Sequence, residues 1–523
     1  MQIKLNEMNN ILKNILLIII VGNISIAYSG PIILSRNILD GYVDRFNAVD
    51  KEEYKTEIPN CKSADFLFEN VPLFECPDKN IEEIYYFRWW TFRKHIRNTP
   101  NGYVVTEFLP DVGWAGKFNA ISCPAWFHYL EARWMYNNKY LTDYTYYWLK
   151  GEGNPHHYSF PIADALKQFC LVTGDFALMD SYYSELKANF DKWENMNYDS
   201  SIGLFEQIDD RDGMEMSIGG SGYRVTINSY MAAELYALSE SAARLGNVKE
   251  ADLWKNKANK LTNKMFSFLW DRRDSFFKVV SKEKKMQNVR EIHGYTPWAY
   301  LSVPNKYSEA WKFLMDTRHF FAPYGPTTAE QCHPDFRILY QGHECQWNGP
   351  SWPYSTAMTL YALANHLNND SSYINKSDYL TLMSIYATSQ HLISENGERI
   401  PWIDENLNPF TGDWISRTML INAKSVMCGR GRDYNHSSYC DLVISGLIGI
   451  RPQNDNTLVV NPLIPNSAWD YFCLDGILYH GRIISVIYDK YGTKYGKGKG
   501  LIVFVDGKLV AQSNFVTRLE IEL

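Results

Sequence analysis

Several patterns that would indicate a familiar chemistry are absent from this chain of 523 residues. It has no H-E-x-x-H pair of a zinc protease, no G-x-S-x-G turn of an esterase, and no Walker or Rossmann glycine pattern. Basic residues are not in excess, because 52 lysines and arginines face 59 acids and give a net charge of −7. The sequence therefore disfavours a metalloprotease, an esterase, a nucleotide-dependent enzyme and a nucleic-acid-binding protein.

Long apolar runs are also scarce. The clear example is "ILLIIIVG" at residues 15–22, which follows Lys4 and Lys13 and precedes the small residues of "AYS" at 27–29. This order is typical of a secretory signal peptide, and the run is too short to span a bilayer comfortably. We therefore predict a signal peptide over residues 1–29, a secreted or periplasmic protein, and no stable membrane span beyond that segment. An uncleaved anchor is the alternative.

Cysteine occurs nine times, an odd number that leaves at least one thiol unpaired or paired to another chain. In an oxidising compartment a disulfide could close Cys61–Cys76, Cys332–Cys345 or Cys428–Cys440, and the sequence leaves the connectivity open. The segment "CHPDFRILYQGHEC" (332–345) holds two Cys and two His but lacks the paired C-x-x-C spacing of a structural zinc site. We predict neither a metal ion nor another cofactor.

The spacing of apolar residues divides the chain into two architectures. From about residue 80 to 448 they recur every three to four positions, as in "TINSYMAAELYALSESAARLG" (226–246), which predicts roughly a dozen helices. After Arg451, short β-branched runs such as "RIISVIYD" alternate with turn residues, which predicts strands. We therefore predict a mainly α protein with three parts after the signal peptide: an N-terminal extension packing on the barrel (30–80), a helical barrel domain (81–450) and a small C-terminal all-β sandwich domain (451–523).

Aromatic residues make up 15% of the chain, with 16 Trp and 36 Tyr. Many lie between the predicted helices beside acidic, amide or glycine residues, as in "TEFLPDVGWAGKFN" and "HECQWNGPSWPY". If the helices close into a ring, alternate loops meet at one end and form a concave, polar and aromatic pocket. Because the apolar faces of sugars stack on aromatic rings, this composition favours carbohydrate recognition.

The first acidic loop is "DDRDGME" (209–215), with four acids in seven residues. A solvated surface loop is the plain interpretation. Asp210, Asp212 and Gly213 also resemble the start of a calcium-binding loop, although its remaining ligand spacing is missing. A third interpretation is catalytic, because a carboxyl among other carboxylates and aromatic surface has its pKa raised, as a general acid needs at neutral pH.

The second acidic loop is "WIDENLNPFTGDW" (402–414), where Asp404 and Glu405 stand between two tryptophans. Solvated surface is again the plain alternative, but an exposed loop gains little from Trp402 and Trp414 unless something stacks on them. Glycoside hydrolysis requires a pair of carboxyls, one to protonate the leaving oxygen and one to activate water or to attack. Two acidic loops nearly 200 residues apart can supply such a pair if the fold brings them together.

Three segments carry a resemblance to a known family. "WNGPSWPYSTAMTLYAL" (347–363) is similar to the "W-R-G-P-V-W" helix entry of glycoside hydrolase family 63, the processing α-glucosidases, and of mannosylglycerate-hydrolase-like domains. "ENLNPFTG" (405–412) matches the family's "E-N-Y-D-P-E-T-G" segment, which places Glu405 on its general base. "RDGMEMSI" before "INSYMAAELYAL" matches "E-S-G-M-D-N-S-P" before an "N-S-Y-L"-type helix, which places Glu215 on its general acid.

The resemblance implies an (α/α)6 barrel of six helical hairpins, inversion of configuration and no metal requirement for the chemistry. Glu215 replaces the family's Asp at the acid position, so Asp212 remains the alternative acid. Within this interpretation we expect four tryptophans to line the pocket and three polar residues to bind sugar hydroxyls: Trp114, Trp347, Trp352, Trp414, Asp111, Glu330 and Asn348.

The sequence thus predicts an exported, inverting glycoside hydrolase acting on an oligosaccharide or glycoside, with an α-linked, α-glucosidase-like substrate. An α-rhamnosidase- or trehalase-type glycosidase is an alternative, because glycosidases on helical barrels share this loop chemistry. A non-catalytic carbohydrate-binding protein on the same fold is the alternative from another class, since it would keep the tryptophans without needing both acids. A lyase is a further option, but the Tyr, His and Arg cluster expected of one is not evident.

Overall fold

A computed structural model describes residues 33–394 and 396–523, so the predicted signal peptide lies outside the described residues. Helices predominate up to residue 447, as the apolar spacing predicts, and strands follow. The α-helices of the described ranges are α1 (Asn37–Val49), α2 (Ser63–Asn70), α3 (Lys79–Phe92), α4 (Ala125–Ala132), α5 (Lys139–Leu149), α6 (Ile162–Thr173), α7 (Ala177–Ser181), α8 (Tyr183–Asn197), α9 (Val225–Arg244), α10 (Val248–Leu269), α11 (Pro297–Tyr300), α12 (Pro353–Leu367), α13 (Lys376–Ser389) and α14 (Ile415–Asn422).

Short strands connect the helices, and longer ones form the C-terminal region. The strands are β1 (Leu73–Glu75), β2 (Ile96–Thr99), β3 (Gly102–Val105), β4 (Tyr198–Asp199), β5 (Leu204–Gln207), β6 (Gly222–Tyr223), β7 (Trp270–Asp271), β8 (Phe276–Phe277), β9 (His391–Ile393), β10 (Arg399–Pro401), β11 (Ile450–Arg451), β12 (Thr457–Val460), β13 (Tyr471–Tyr479), β14 (Arg482–Asp489), β15 (Gly500–Val505), β16 (Lys508–Ser513) and β17 (Leu519–Glu522). Within the described ranges, no helix has both the length and the apolar character needed to cross a bilayer.

The helices pair into hairpins of one inner and one outer helix. Sixteen of the twenty residues of α9 are buried, whereas only eight of the twenty-two residues of α10 are. The same contrast separates α12 from α13, with fourteen of fifteen residues buried against six of fourteen. A helix apolar nearly all round belongs to the interior, and an amphipathic one covers it. The molecule is an (α/α)6 barrel with an appended β domain, as the resemblance implies.

Buried charges join the end of α4 to the segment that follows α14. Arg133, directly after α4, donates from Nε and Nη2 to Asp441 Oδ1 at 3.0 and 2.7 Å. Both side chains are fully buried. The neighbouring carboxylate of Glu131 accepts the backbone amides of Tyr439, Cys440 and Asp441 at 2.5, 3.0 and 2.7 Å. Since buried charges cost free energy unless they are paired and hydrogen-bonded, these contacts hold the two ends of the barrel in one arrangement.

Replacing Asp441 by Leu leaves the guanidinium of Arg133 buried without its carboxylate. We expect the free energy of unfolding to fall by about 3–5 kcal/mol, measured by urea denaturation. The matched control is Asp470→Asn, which breaks an exposed ion pair with Lys490 and should change stability by less than about 1 kcal/mol. The double variant Arg133→Met, Asp441→Leu should recover much of the loss. Equal stability of the single variant and the control would contradict this role.

The C-terminal region contains two antiparallel sheets. One has the strand order β1-β13-β14-β15-β16 and the other β11-β12-β17. The N-terminal extension contributes to both domains: α1 packs on α3, whereas β1 pairs with β13 through Leu73 opposite Asp475. Asp475 also accepts the backbone amides of Ile33 and Leu34 at 2.6 and 2.8 Å. A strand of three residues has no detectable periodicity, so its place in the C-terminal sheet could not be read from the sequence.

Candidate active site

A cavity of about 240 Å³ brings both acidic loops to one place. Four carboxyl groups border it, from Glu107, Glu215, Glu344 and Glu405. Its aromatic walls come from Phe108, Trp114, Tyr158, Trp347, Trp352, Tyr354 and Tyr434. Among its lining residues, the guanidinium of Arg430 is the single arginine or lysine cation. An aromatic pocket with convergent carboxyls is the arrangement that the predicted glycosidase requires.

The loop of Asp404 and Glu405 is fixed from two sides. Leu407 exchanges backbone hydrogen bonds of 2.9 Å with Ser351, just before α12. Asp404 Oδ1 accepts the backbone amide of Glu405 at 2.9 Å, and any side chain at Gly431 would collide with that carboxyl. Burial, and then the charge of Glu405, raises the pKa of Asp404 to about 7. Asp404 does not border the cavity, so it supports the loop from which Glu405 reaches the cavity.

An arginine holds the carboxylate of Glu405. Arg430 donates from Nε to Oε1 at 2.7 Å and from Nη2 to Oε2 at 3.2 Å. The same guanidinium lies 5.3 Å from the ring centroid of Trp114, an exposed tryptophan at the cavity mouth. A bidentate guanidinium favours the ionised form of a carboxyl. Glu405 therefore borders the cavity with its carboxyl held by two hydrogen bonds and its orientation fixed.

Glu215 reaches the cavity from the first acidic loop. A short 3-10 helix, Asp209–Asp212, ends at Gly213, whose φ of +68° is in the left-handed region that favours glycine. The backbone carbonyl of Glu215 accepts the amide of Trp347 at 3.1 Å. Burial is the largest cause that raises the pKa of Glu215, to about 7, and the charges of Asp210 and Glu405 add to it. Glu215 thus keeps its proton up to about pH 7, far above the range of an ordinary glutamate.

Asp212, the alternative acid, points away from the cavity. Its side chain is fully buried and paired with Arg224, whose Nε donates to Oδ2 at 2.7 Å. Ser159 and Thr226 donate hydroxyl hydrogen bonds to the same carboxylate. Asp212 does not border the cavity. Because its oxygens are occupied by protein donors, it anchors the loop that presents Glu215.

Comparison with known proteins identifies the family and the fold. The family model of the mannosylglycerate hydrolase MGH1-like glycoside hydrolase domain matches residues 117–437. The chain belongs to that family. Residues 117–437 thus form a six-hairpin glycoside hydrolase domain. The model of the C-terminal domain of glycosyl hydrolase family 65 matches residues 450–511, the β domain.

Solved structures resemble this MGH1-like glycosidase to different degrees. A structure named "Sialidase" shares 40% identity with a TM-score of 0.87, over 94% of this chain and 45% of that one. The chain thus spans less than half the length of that protein. A GH78 family rhamnosidase of Bacillus sp. GL1 matches 80% of this chain and 41% of its own at 10% identity and a TM-score of 0.49. A GH63 mannosylglycerate hydrolase from Thermus thermophilus matches 56% and 75% at 14% identity and a TM-score of 0.38.

Three of the four expected tryptophans border the cavity of the MGH1-like domain. Trp347 and Trp352 stack on each other with centroids 4.9 Å apart and planes at 14°. Trp352 Nε1 donates to the carbonyl of Gln346 at 2.8 Å, whereas the buried Nε1 of Trp347 has no hydrogen-bond partner. Trp114 completes the set at the mouth. These rings form an apolar wall on which a sugar ring can stack.

The remaining expected residues lie elsewhere, and for them the expectation of cavity contact is corrected. Trp414 is buried and donates from Nε1 to the carbonyl of His391 at 2.9 Å, so it packs in the core. Asp111 is exposed and paired with Arg97 at 2.7 Å. Glu330 is buried against Arg290, and Asn348 is partly buried without bordering the cavity.

Glu107, Arg430 and Tyr434 are cavity residues of the glycosidase that sequence reasoning missed. Glu107 lies two residues after β3, in the same segment from which Asp111 and Trp114 were selected. The hydroxyl of Tyr434 donates to its carboxyl. Burial raises the pKa of Glu107 to about 8, and the charges of Glu405 and Glu215 act in the same direction. The available signal was a glutamate within the apolar segment "VVTEFL" (104–109), all six residues of which are buried in the structure.

We expect Glu107 to act as a neutral acid that contacts the substrate. Glu107→Ala should raise KM about 10–100-fold, because it removes that contact and leaves the Tyr434 hydroxyl without its acceptor. Glu107→Gln keeps the shape and should change KM by less than about tenfold. Glu107 is protonated below its pKa of about 8. The wild type should therefore bind substrate more weakly above that pH, and the Glu107→Gln variant should not show this loss. Equal KM values for Ala and Gln would argue against a substrate contact.

The nine cysteines are free thiols in the described residues. Cys123 and Cys345 border the cavity, and Cys345 Sγ lies 3.7 Å from Glu405 Oε2. None of the three disulfides considered from the sequence is formed in this structure.

Proposed function

We propose that this glycosidase removes a single neutral sugar from an α-linked glycoside with inversion, using Glu215 as the general acid and Glu405 as the general base. The observation that carries the proposal is the opposite environment of two carboxyls on one cavity. Burial raises the pKa of Glu215 to about 7, whereas Glu405 receives two hydrogen bonds from the guanidinium of Arg430. Two carboxyls in such different environments can serve as the general acid and the general base of one reaction.

The proposed reaction begins with proton transfer from Glu215 to the glycosidic oxygen as the bond to the anomeric carbon breaks. A water molecule between Glu405 and the opposite face of the sugar attacks that carbon and gives its proton to Glu405. Glu405 has lone pairs free for this water, because Arg430 uses one on each oxygen. Inversion requires about 6.5–9.5 Å between the two carboxyls to hold the water, against about 5–5.5 Å for retention.

The size and charge of the cavity support the choice of substrate. About 240 Å³ is far above the roughly 10–15 Å³ that one water needs by the same measure, and it suits one sugar ring. Among the lining residues the one arginine, Arg430, is already paired with Glu405, so no free arginine or lysine faces the substrate. An anionic sugar such as sialic acid would find no unpaired cation there, so the sialidase name of the 40% identical structure is not carried over. A neutral sugar fits better.

The α linkage and the α-glucosidase-like substrate rest on the resemblance of the three catalytic segments. Rhamnosidase and trehalase action share the same reaction and remain the second candidates within the enzyme class. A panel of aryl α-glycosides of neutral sugars, together with trehalose and a sialoside, separates them by rate. Hydrolysis of the sialoside alone would overturn the choice of a neutral substrate, and hydrolysis of none would favour the carbohydrate-binding alternative.

The stereochemical test uses the same substrates. Proton NMR during the first minutes of hydrolysis reports which anomer forms before mutarotation. We expect the β-anomer to appear first from an α-glycoside. Initial formation of the α-anomer would show retention and a covalent intermediate, and would change the role of Glu405 to that of a nucleophile.

Export is part of the proposal and rests on the signal-like residues 1–29. We propose cleavage after Ser29 during secretion. N-terminal sequencing of secreted protein should start at Gly30, and secreted protein that starts at Met1 would contradict cleavage.

A further inference from the structure

We propose that His319, Glu330 and Cys332 form a binding site for a zinc-like divalent metal ion outside the catalytic cavity. Of the described residues, they are the one group of His, Cys, Asp or Glu whose ligand atoms all lie within 4.8 Å of one another. None of the three borders the cavity. The site is therefore separate from the glycosidase chemistry, and the proposal does not depend on the proposed function.

The distances suit one ion bound by three donors. His319 Nε2 lies 3.7 Å from Glu330 Oε2, and Cys332 Sγ lies 3.7 Å from the same oxygen. Metal–ligand bonds of about 2.0–2.3 Å in a tetrahedral site place neighbouring ligand atoms about 3.5 Å apart. An ion can thus sit between these atoms with small side-chain movements.

The backbone holds the ligands in place. Gln331 and Cys332 donate their amides to the carbonyls of His319 and Arg318, each at 2.9 Å. Thr327 Oγ1 donates to the His319 carbonyl at 3.1 Å. The segment with His319 and the segment with Glu330 and Cys332 therefore run side by side. Ligands on such paired segments need little ordering when an ion binds.

Two further charged residues, Asp316 and Arg290, contact the proposed ligands His319 and Glu330. The imidazole of His319 lies between two carboxyls, with Nδ1 3.2 Å from Asp316 Oδ2 and Nε2 3.7 Å from Glu330 Oε2. Arg290 holds Glu330 by two contacts, from its backbone amide to Oε1 at 2.9 Å and from Nη1 to Oε2 at 2.8 Å. Metal sites commonly show this second layer, in which a carboxylate orients the histidine and donors fix the carboxylate ligand.

The donor set indicates the metal. One imidazole nitrogen, one carboxylate oxygen and one thiolate match the preferences of Zn²⁺, whereas Mg²⁺ and Ca²⁺ require oxygen ligands. Binding releases the thiol proton of Cys332 to solvent. Cys332 is exposed, so the ion can enter from solvent and a water molecule can take the fourth position.

A metal ion bound at this site would fix the position of one end of a segment that reaches the cavity. Cys332 begins the stretch 332–345, whose other end carries His343, Glu344 and Cys345 at the cavity wall. An ion bound at its start would stabilise the folded protein without taking part in proton transfer. We expect saturating Zn²⁺ to raise Tm by about 2–3 °C at a hundredfold excess over Kd.

Cobalt titration of the purified, chelator-treated protein tests the proposal. We expect one Co²⁺ per chain and a near-ultraviolet thiolate-to-cobalt charge-transfer band that Zn²⁺ abolishes. Cys332→Ser should remove the band, and His319→Ala should weaken binding at least 10–100-fold. Asp316→Asn should weaken binding about 10–100-fold as a second-layer change.

Cys61→Ser is the matched control, because Cys61 is also an exposed thiol and should leave the titration unchanged. Circular dichroism checks that each variant is folded. A folded wild type without the charge-transfer band would overturn the site, as would a band that survives Cys332→Ser or disappears in Cys61→Ser.

Discussion

Replacing Glu405 by Gln should lower turnover by about two to four orders of magnitude while leaving substrate binding largely intact. The amide keeps the shape of the side chain and one oxygen for Arg430, but it cannot accept a proton from the attacking water. Turnover and KM on the best aryl glycoside of the panel measure the effect. Glu344→Gln is the matched control, because Glu344 borders the same cavity without a role in the proposed reaction, and should change turnover by less than about tenfold.

Azide adds a second measurement to the Glu405→Gln variant. As a small anion that needs no base, azide can replace water as the nucleophile and restore part of the rate. The product should then be a glycosyl azide of inverted configuration. Near-normal turnover of the Gln variant without azide would remove Glu405 from the role of base, and Asp404 would become the next residue to test.

Replacing Glu215 by Gln should also reduce turnover by about two to four orders of magnitude for poor leaving groups. Because the general acid must be protonated, kcat/KM of the wild type should decline as the pH rises through the pKa of Glu215 at about 7. The variant should lack this decline. Substrates with strongly activated leaving groups, such as dinitrophenyl glycosides, need little protonation, so their hydrolysis should be affected much less.

Asp212→Asn is the informative comparison for Glu215. Asp212 is buried against Arg224, so its loss should lower stability and should leave the alkaline limb of the pH profile in place. If instead the Asp212 variant loses that limb and the Glu215 variant keeps it, the two roles are reversed.

The helical domain and its reactive loops were predictable because they leave periodic or motif signals. The apolar spacing of 226–246 predicts a helix, and the structure contains α9 over Val225–Arg244. The segment "WNGPSWP" leads into α12, which begins at Pro353, where a proline suits the first helical turn. Glu215 and Glu405 were both selected from the sequence, and the structure brings them to one cavity.

What could not be predicted depends on side-chain direction in loops. Asp212 and Glu215 are three residues apart, and the left-handed conformation of Gly213 between them sends one inward and the other to the cavity. Trp414 follows the same acidic loop as Glu405 but turns into the core. Arg430 reaches Glu405 across a stretch of irregular chain. No periodicity describes such positions, so only the fold reveals these contacts.

The pairing of β1 with β13 ties residues near the amino end to residues near the carboxyl end of the chain. During synthesis, β1 must wait for a partner about 400 residues further along, and contacts of such separation form slowly. Until β13 and β14 emerge, the ribosome-bound chain presents an unpaired strand edge that a chaperone could cover. The β domain therefore completes the folding of a chain whose barrel is already synthesised. If the barrel and the β domain were expressed as separate chains divided at residue 450, β1 and β13 would both lose their pairing partner.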